Sequence, residues 1–404
     1  MNPQTKICVI GAAGYIGLPL AAFLAKAGYY VIGVDVNSAK INKLSKGICT
    51  LDEKGMDKLF RDAFESKRLI FTDKPEPAEI FIIAVPTPLN ADTNTADLEY
   101  IETALTSTIP LLRKGNLIIL ESTIPPFTCR NVVKNRVEEE TQFGVPHDIM
   151  VAHCPERGYP GNLVYEFVHN DRIIGGMSLE STKSAVTVYK SFVKGAIRET
   201  NDVTAEIVKL AENSFRDVNI AYANELKLIT DRLNIDVEEV IELANLHPRV
   251  NILKPGIGVG GHCISIDPWF LWESAPDVSK IIPMAREINN LMPEVTAKEI
   301  YSHVKGISSP KILILGKSYK PDVTDIRESP ALYVVEILRG MSSQILIKFI
   351  DPLVDDLKSF SLEEEVKGMD LLVILVPHTM ILQQLRNNYD SILKALKTPK
   401  ILQY

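Results

Sequence analysis

Apolar positions along the first 35 residues change from a continuous run to a helical spacing and back again. The run KICVIG leads into GAAGYIGLPLAAFLAKAG, where apolar residues recur at helical intervals until Gly28 closes the helix. A second apolar run, YYVIGVDV, ends in Asp35. Strand, glycine turn, helix, strand and acid in this order predict a dinucleotide-binding βαβ unit.

Three more apolar runs follow in the first half of the chain, and helical stretches separate them. They read EIFIIAVPTP, GNLIILESTIPP and HDIMVAHCPE. Strands that are apolar almost without interruption are typical of a parallel sheet that helices cover on both faces. We therefore expect a doubly wound α/β domain at the start of the chain.

The middle of the chain is helical in pattern. Residues 203–233 form one helical repeat without glycine or proline, which would span roughly 45 Å as a single helix. A helix of this length can join two domains and offer a face for dimerisation. Helical spacing continues to about residue 304.

A second series of strands and helices begins after this helical region. Its strands lie in PKILILGKSYKPDVTDIRESPA, SQILIKFIDP and DLLVILVPH, and it lacks the glycine fingerprint of the first series. The pattern predicts an α/β protein with two Rossmann-like doubly wound domains, joined by a long central helix and a helical middle domain. We place the three domains at residues 1–198, 199–304 and 305–404.

Composition narrows the class of protein. A chain of 404 residues with 46% hydrophobic and 24% charged residues is typical of a soluble globular protein of two or three domains. The net charge of −7 argues against nucleic acid as the main partner, and no apolar run is long enough for a membrane span. Five scattered cysteines without a CxxC pair, and a start without a signal-peptide layout, favour a reducing cytoplasm.

The glycine turn is the first candidate site. Gly11, Gly14 and Gly17 would let backbone amides approach a pyrophosphate at a helix N-terminus, although a mere tight turn is the alternative. Asp35 favours NAD over NADP, because a carboxylate binds a free 2′-hydroxyl and repels a 2′-phosphate. An ordinary acid at the end of a strand is the alternative for Asp35.

Cys263 is the second candidate site. A free cysteine is most often a small buried apolar residue. The loop before it contains three glycines, Gly258, Gly260 and Gly261. Exposed amides in such a loop would lower the pKa of a thiol and stabilise an oxyanion. Asp267 would face the same pocket if the intervening segment is helical. His262 does not indicate a metal site, because no second Cys or His pair lies at ligand spacing.

A polar pair on the long helix is the third candidate. Lys209 and Asn213 are four residues apart and therefore lie on one helix face. That face is either solvated or, given the apolar neighbours in VKLAENSF, turned inward as a polar couple. Spacing alone leaves both interpretations open.

Three blocks in order along the chain are similar to one known family. They are VIGAAGYIGLP with VDV, KLAENSFRDVNIAYANEL, and GVGGHC-x-x-x-D with SYKPDVTDIRESP. On these motifs the chain resembles the UDP-glucose/GDP-mannose dehydrogenase family over essentially its full length. The resemblance implies NAD as cofactor, a UDP-sugar as substrate, and oxidation of C6 from alcohol to carboxylate with two NAD⁺ and one water.

The resemblance also implies roles for the catalytic residues. Lys209 and Asp267 match the positions that hold a water and stabilise charge on the sugar oxygen. Cys263 matches the nucleophile that attacks the aldehyde to form a thiohemiacetal, which becomes a thioester. Glu156 matches the general base for thioester hydrolysis, with a turn acid as the alternative, and Asn213 helps to hold the water or substrate oxygen.

Binding residues are implied in the same way. The cofactor would contact the glycine turn and Asp35 together with Tyr15, Ile16, Pro86, Thr87, Glu121, Thr123 and Arg327. The sugar nucleotide would contact Lys209, Asn213, Arg157, Arg249, Gly260, His262, Tyr319 and Lys320. By residue type alone, a surface salt bridge is the commoner explanation for Lys320 and Arg327. Arg249 matches an arginine that reaches the substrate of a neighbouring subunit, so we expect a homodimer or a homotetramer.

Two departures from the family pattern affect the cofactor loops. GAAGYIG carries an additional alanine, and Phe127 stands where glycine is usual. Two other functions remain as alternatives. A non-catalytic sugar-nucleotide binding protein would be expected to lack Cys263 or Lys209, and both are present. A cysteine hydrolase would not need the glycine turn with Asp35.

Overall fold

The computed structural model describes residues 5–158 and 161–404. The chain divides into two compact units. The first comprises residues up to Glu212 together with Trp269–Ala275, and the second comprises Asn213–Pro268 and Pro276–Tyr404. The predicted division into three domains stays a prediction.

An eight-stranded sheet forms the centre of the first unit, in the order β10-β9-β8-β7-β4-β1-β2-β3. Its strands are β1 (Lys6–Ile10), β2 (Tyr30–Val34), β3 (Leu69–Thr72), β4 (Ile80–Ile83), β7 (Leu117–Leu120), β8 (Met150–His153), β9 (Arg172–Gly176) and β10 (Ile197–Asn201), and a separate hairpin contains β5 (Leu89–Asn90) and β6 (Thr95–Ala96). All neighbouring strands of the sheet are parallel except β8 and β9, which are antiparallel. The predicted boundary after residue 198 lies inside β10, so the first sheet extends past it.

Helices cover both faces of this sheet, as the apolar strands predict. They are α1 (Gly17–Lys26), α2 (Ser38–Leu44), α3 (Met56–Glu65), α4 (Glu99–Thr108), α5 (Asn135–Glu140), α6 (Leu163–His169) and α7 (Leu179–Tyr189), with a 3-10 turn at Ile109–Leu111 and a π-helix at Cys129–Lys134. Side chains of β1 alternate between two apolar clusters: Ile7 and Val9 join one, and Cys8 and Ile10 join the other.

A smaller parallel sheet, in the order β12-β11-β13-β14, forms the core of the second unit. Its strands are β11 (Lys311–Leu315), β12 (Leu346–Ile350), β13 (Leu371–Ile374) and β14 (Ile401–Gln403). The remaining helices of the chain are α8 (Asp202–Leu233), α9 (Val237–Ala244), α10 (Asp267–Glu273), α11 (Ile281–Val304), α12 (Pro330–Met341), α13 (Leu362–Glu365), α14 (Thr379–Asn387) and α15 (Tyr389–Ala395). The helix predicted at 203–233 is thus observed as α8.

Within the second unit, α8 reverses the usual arrangement of polar and apolar faces. The buried side presents Asn213, Asp217 and Asn224, and the exposed side presents Phe215, Tyr222 and Ile229. At 3.6 residues per turn, each set falls within an arc of about 40°, and the two arcs are opposite. A polar buried face requires hydrogen-bond partners inside the unit, and an exposed apolar face indicates a surface for association.

Candidate active site

The glycine turn at the end of β1 leaves no room for side chains. Gly11 has a φ of +88°, and a Cβ atom there would lie 2.3 Å from the Ala84 carbonyl oxygen. A Cβ atom on Gly17, the first residue of α1, would lie 2.2 Å from the Gly11 carbonyl oxygen. The turn therefore packs backbone against backbone just before a helix N-terminus, which is the form of a pyrophosphate cradle.

Asp35 ties this turn to the end of β2. One of its carboxylate oxygens accepts a hydrogen bond from the Ala13 amide at 3.0 Å, and the other accepts one from Asn37 at 2.9 Å. The Ala12 amide donates to the carbonyl of Val34 at 2.9 Å. The backbone amides of both alanines in GAAG therefore donate hydrogen bonds to residues at the end of β2, and the turn accommodates the additional alanine.

Other predicted cofactor residues follow β4, which is next to β1 in the sheet, and β7, which is the strand beyond β4. Pro86 and Thr87 come after β4, and Thr123 comes after β7. Because carboxyl ends of parallel strands share one edge, these residues lie at the same edge as the glycine turn. The Thr87 hydroxyl is buried and has no hydrogen-bond partner among the described residues. A glycine cradle beside an unsatisfied hydroxyl fits the binding of a polar dinucleotide.

Tyr15 and Ile16 connect the glycine turn to α1. Ile16 is the N-cap residue of α1, and the Tyr15 hydroxyl donates a hydrogen bond to the Glu53 carboxylate. The other Glu53 oxygen accepts from the amide of Leu163, the first residue of α6, at 3.1 Å. Both residues therefore have a place in the cradle, but their predicted contact with the cofactor stays a prediction.

Glu121 differs from the other predicted cofactor residues because it is buried. Its two oxygens accept hydrogen bonds from Arg172 at 3.2 Å and from the Tyr189 hydroxyl at 2.6 Å. Burial raises the pKa of Glu121, against the opposing effect of the Arg172 charge. Its side chain is therefore engaged inside the unit, and its predicted contact with the cofactor stays a prediction.

Glu156, the predicted general base, is bound by the same arginine. The Arg172 guanidinium contacts one Glu156 oxygen at 2.5 Å, and the amides of Arg157 and Gly158 donate to the other at 2.8 and 2.5 Å. The Arg157 side chain pairs with Glu212 at 2.6 Å. Sequence reasoning missed Arg172, because an arginine inside an apolar strand carries no motif.

The polar pair of α8 divides between the two units. Lys209 is half-buried and belongs to the first, and Asn213 is buried and belongs to the second. The Asn213 side-chain amide donates a hydrogen bond of 2.5 Å to the carboxylate of Asp267. For Asn213 the inward interpretation is therefore correct.

Cys263 lies in a loop that packs closely against residues 319–330. A Cβ atom on Gly260 would lie 2.4 Å from the Glu328 carbonyl oxygen, and one on Gly261 would lie 3.0 Å from the Tyr319 ring. The Cys263 side chain is half-buried and forms no disulfide. The backbone carbonyl of Cys263 accepts a hydrogen bond from the Asp267 amide at 2.8 Å. Because α10 begins only at Asp267, the segment between the two residues is a turn and not a helix.

Arg327 brings a positive charge to this loop. Its carbonyl accepts from the Gly261 amide at 3.1 Å, and its guanidinium pairs with Asp325 at 2.6 Å. That ion pair, and to a smaller degree the Cys263 thiolate, raise the pKa of Arg327. The salt-bridge alternative is therefore observed, and the charge also interacts favourably with the thiolate.

Three predicted substrate residues remain to be placed. Burial raises the pKa of Asp325, but hydrogen bonds from Arg327 and, to a smaller degree, the neighbouring His262 outweigh it and hold the pKa below the ordinary value. His262 directly precedes Cys263 in the chain. The Lys320 ammonium lies 5.6 Å from the centre of the Tyr319 ring. Arg249 is exposed on the loop after α9. None of these positions tests contact with a sugar nucleotide.

Comparison with known proteins adds the family to this geometry. Residues 5–193, 203–291 and 313–403 match the NAD binding, central and UDP binding domains of the UDP-glucose/GDP-mannose dehydrogenase family. A UDP-N-acetyl-D-mannosamine dehydrogenase from Campylobacter jejuni is 45% identical over 94% of this chain and 96% of its own. The chain belongs to the UDP-glucose/GDP-mannose dehydrogenase family.

Other proteins similar to this dehydrogenase extend the comparison. An NDP-N-acetyl-D-galactosaminuronic acid dehydrogenase from Ralstonia nicotianae is 41% identical over 92% of this chain and 90% of its own. A solved structure of a UDP-D-ManNAc dehydrogenase from Pyrococcus horikoshii superposes with a TM-score of 0.90 at 39% identity, covering 98% of this chain and 94% of its own. The predicted family, α/β fold and NAD cofactor are confirmed. Among the described residues, no helix has the length and apolarity to cross a membrane.

Proposed function

We propose that this dehydrogenase oxidises UDP-N-acetyl-D-mannosamine at C6 to UDP-N-acetyl-D-mannosaminuronate, consuming two NAD⁺ and one water and releasing two NADH. The observation that carries the proposal is the Cys263 loop, in which a half-buried thiol outside any disulfide precedes an Asp267 carboxylate that accepts a hydrogen bond from Asn213. The names of the relatives support the choice of sugar. Pro-Trp-Phe after Asp267 also resembles the mannosamine members of the family.

The proposed chemistry assigns a task to each predicted catalytic residue. Asp267, oriented by Asn213, holds a water that takes the proton of the C6 hydroxyl, and Lys209 stabilises charge on that oxygen. Bound NAD⁺ supplies the hydride acceptor for each oxidation. The Cys263 thiolate adds to the aldehyde carbon as a thiohemiacetal, so the reactive aldehyde does not leave between the two oxidations.

Hydrolysis then releases the product. The second oxidation leaves a thioester on Cys263, and Glu156 accepts a proton from a water whose oxygen adds to the thioester carbonyl. The carbon–sulfur bond breaks, the thiolate is regenerated, and the uronic acid departs. Glu156 suits a base because the amides and Arg172 orient its carboxylate.

A panel of UDP-sugars with purified protein tests this function. UDP-N-acetylmannosamine should release close to two NADH per sugar, and Cys263→Ala should lower uronate formation at least 1,000-fold, the loss expected of an essential nucleophile. A ratio of one NADH, or full turnover by the alanine variant, would contradict the covalent four-electron mechanism. Faster turnover of UDP-N-acetylglucosamine, UDP-glucose or UDP-N-acetylgalactosamine would retain the mechanism and change the substrate.

We further propose that the dehydrogenase is a cytoplasmic homodimer. The exposed apolar stripe of α8 supports the dimer. Phe215, Tyr222 and Ile229 recur every seven residues, which is the spacing of a helix–helix seam. Through such a dimer Arg249 would reach the substrate of the partner, as the family resemblance implies. Tyr222→Glu should halve the mass measured by light scattering, whereas exchange of the exposed Lys298 for Glu should leave it unchanged.

A further inference from the structure

The buried polar face of α8 contacts the loop that carries Cys263. The Asn224 side-chain oxygen accepts a hydrogen bond from the Gly256 amide at 2.8 Å, and its nitrogen donates to the Asn289 side-chain oxygen at 2.9 Å. Asn289 in turn donates to the Asp217 carboxylate at 2.8 Å, and Arg286 donates to the same oxygen at 2.7 Å. All four side chains are buried.

Chemistry gives this chain of hydrogen bonds one direction. An ionised Asp217 can only accept, so Asn289 must turn its nitrogen toward Asp217 and its oxygen toward Asn224. Asn224 must then turn its own nitrogen toward Asn289 and its oxygen toward Gly256. The Asp217–Arg286 ion pair on α8 and α11 therefore dictates which atom of Asn224 faces the loop. Burial strengthens each bond, because water cannot replace a lost partner.

The loop beyond Gly256 is held closely as far as Cys263. Gly258 has a φ of +126°, and a Cβ atom there would lie 3.0 Å from the Asn289 carbonyl oxygen. At the far end of the loop, Asp267 accepts its hydrogen bond from Asn213. Asn213 and Asn224 are eleven residues apart on α8, about three turns, so one helix face holds the chain on both sides of Cys263.

We propose that Asn224 is a positioning residue for Cys263, which acts by fixing the Gly256 amide and hence the path of the nucleophile loop. The inference rests on the proposed function, in which Cys263 is the nucleophile. The competing interpretation is that Asn224 belongs to an ordinary buried polar network, whose loss lowers stability everywhere alike.

Site-resolved alkylation separates these interpretations. Asn224→Leu removes both hydrogen bonds at similar volume, and iodoacetamide labelling of the folded protein is followed by mass spectrometry at each cysteine. We expect alkylation of Cys263 at pH 7.5 to slow at least threefold, because the released loop spends less time beside Arg327. The half-buried Cys49, in the other unit, is an internal control that should react at the wild-type rate.

Steady-state kinetics give the second readout. With UDP-N-acetylmannosamine, Asn224→Leu should lower kcat about 10- to 100-fold and change the KM for NAD⁺ by less than about twofold, since misplacing a nucleophile slows the chemical step. Asn224→Asp keeps an oxygen for Gly256 and loses the donor to Asn289, so its loss in kcat should be smaller. This variant also provides the measurement if the leucine variant does not fold.

Asn116→Leu is the matched control for loss of a buried amide. Asn116 accepts from the Arg113 amide at 2.6 Å and donates to the Ala78 carbonyl at 3.0 Å, within the first unit. It should lower the melting temperature and leave Cys263 alkylation and kcat unchanged. The proposal would be overturned if either Asn224 variant slowed alkylation of Cys263 and Cys49 equally. It would also be overturned if both variants kept the wild-type kcat and the wild-type rate of Cys263 alkylation. If the wild-type protein oxidises no UDP-sugar, the proposed function fails, whereas the alkylation rates still test the positioning.

Discussion

The eight-stranded and the four-stranded sheet of this dehydrogenase begin with the same turn, although only the first has a recognisable glycine fingerprint. Gly11 follows β1 and Gly316 follows β11, and their φ values are +88° and +96°. The Gly11 amide donates to the Val34 carbonyl at 2.8 Å, and the Gly316 amide donates to the Ile350 carbonyl at 2.9 Å. In each sheet the glycine bonds to the last residue of the neighbouring strand.

An aspartate follows that neighbouring strand in both sheets. Asp35 accepts from the Ala13 amide at 3.0 Å, and Asp351 accepts from the Ser318 amide at 3.2 Å, each donor lying two residues after the glycine. The second unit therefore repeats the strand, turn and acid of the first. Sequence reasoning missed the pair of Gly316 and Asp351, although a glycine after KILIL and an aspartate after LIKFI were the available signal.

The difference between the sheets lies in what surrounds the acid. Asp35 is half-buried, and the chain enters α1 six residues after the glycine, at Gly17. Asp351 is fully buried, accepts from the Lys317 amide at 2.7 Å and contacts His378 at 2.9 Å. No regular helix begins after Gly316 until Pro330. The same backbone geometry thus forms an open turn before a helix in the first unit. In the second unit it surrounds a buried carboxylate whose oxygens are occupied by hydrogen bonds.

The largest effect on stability should come from removing the buried carboxylate of Asp351. Asp351→Ala leaves four backbone amides and His378 without their acceptor, so the free energy of unfolding of the second unit should fall by about 3–5 kcal/mol. Urea unfolding followed by circular dichroism should report this loss. Both tryptophans, Trp269 and Trp272, belong to the first unit, so the fluorescence midpoint should move less. Equal movement of both signals would contradict the assignment of the effect to the second unit.

Acid should remove the same stabilisation. Burial raises the pKa of Asp351, but hydrogen bonds from His378 and from the amides of Lys317 and Val354 outweigh it and hold the pKa below the ordinary value. A depressed pKa in the folded state contributes stability above about pH 4, which is lost as the pH falls toward the folded-state pKa. The stability difference between wild type and Asp351→Ala should therefore be constant from pH 8 to 5 and shrink by up to about 1.4 kcal/mol per pH unit below pH 4.

The same substitution in the open cradle should affect binding more than stability. Asp35→Ala should raise the KM for NAD⁺ about tenfold or more, since a carboxylate at this position is suited to the adenosine ribose. The KM for the UDP-sugar should change little. Because water can replace a half-buried acceptor, the free energy of unfolding should fall by at most about 1 kcal/mol. An unchanged KM for NAD⁺ would refute the equivalence of Asp35 with a ribose-binding acid.

The smallest effect concerns strained residues at the two sheet edges. Phe127 and Asp322 both have positive φ values, +71° and +61°. Thr379 donates two hydrogen bonds of 2.8 and 2.6 Å to the Asp322 carboxylate, whereas the Phe127 side chain is 45% exposed. Phe127→Gly should therefore raise the free energy of unfolding by about 0.5 kcal/mol. Asp322→Gly should lower it by about 1 kcal/mol, and the reverse order of melting temperatures would contradict this account.

Much of the fold was predictable because long elements carry strong periodicity. The βαβ start, the strands at β4, β7 and β8, and α8 all lie where the pattern predicts them. The antiparallel meeting of β8 and β9 was not predictable, since strand direction depends on which neighbour pairs. The strand β10, IRETN, has no apolar alternation to reveal it.

The candidate site divides in the same way. Local spacing was enough to single out Cys263 and Asp267 as one candidate pair, although the segment between them is a turn and not the helix on which their shared pocket depended. The contact of Asn213 with Asp267 joins residues 54 apart, and Arg172 meets Glu121 across 51. Partners at such separations leave no periodic trace in the sequence.

The sequence alone was enough to indicate the family, the glycine turn after β1 and Cys263 as the candidate nucleophile. Each of these is recognised from residues that lie within a few positions of one another. Only the folded chain decided that the buried face of α8 is polar, that Asn224 faces the Gly256 amide, and that Asp351 is enclosed while Asp35 is open. The physical reason is desolvation. Whether a carboxylate or amide can bind a ligand or is hydrogen-bonded inside the protein depends on which residues, distant in sequence, exclude water from it.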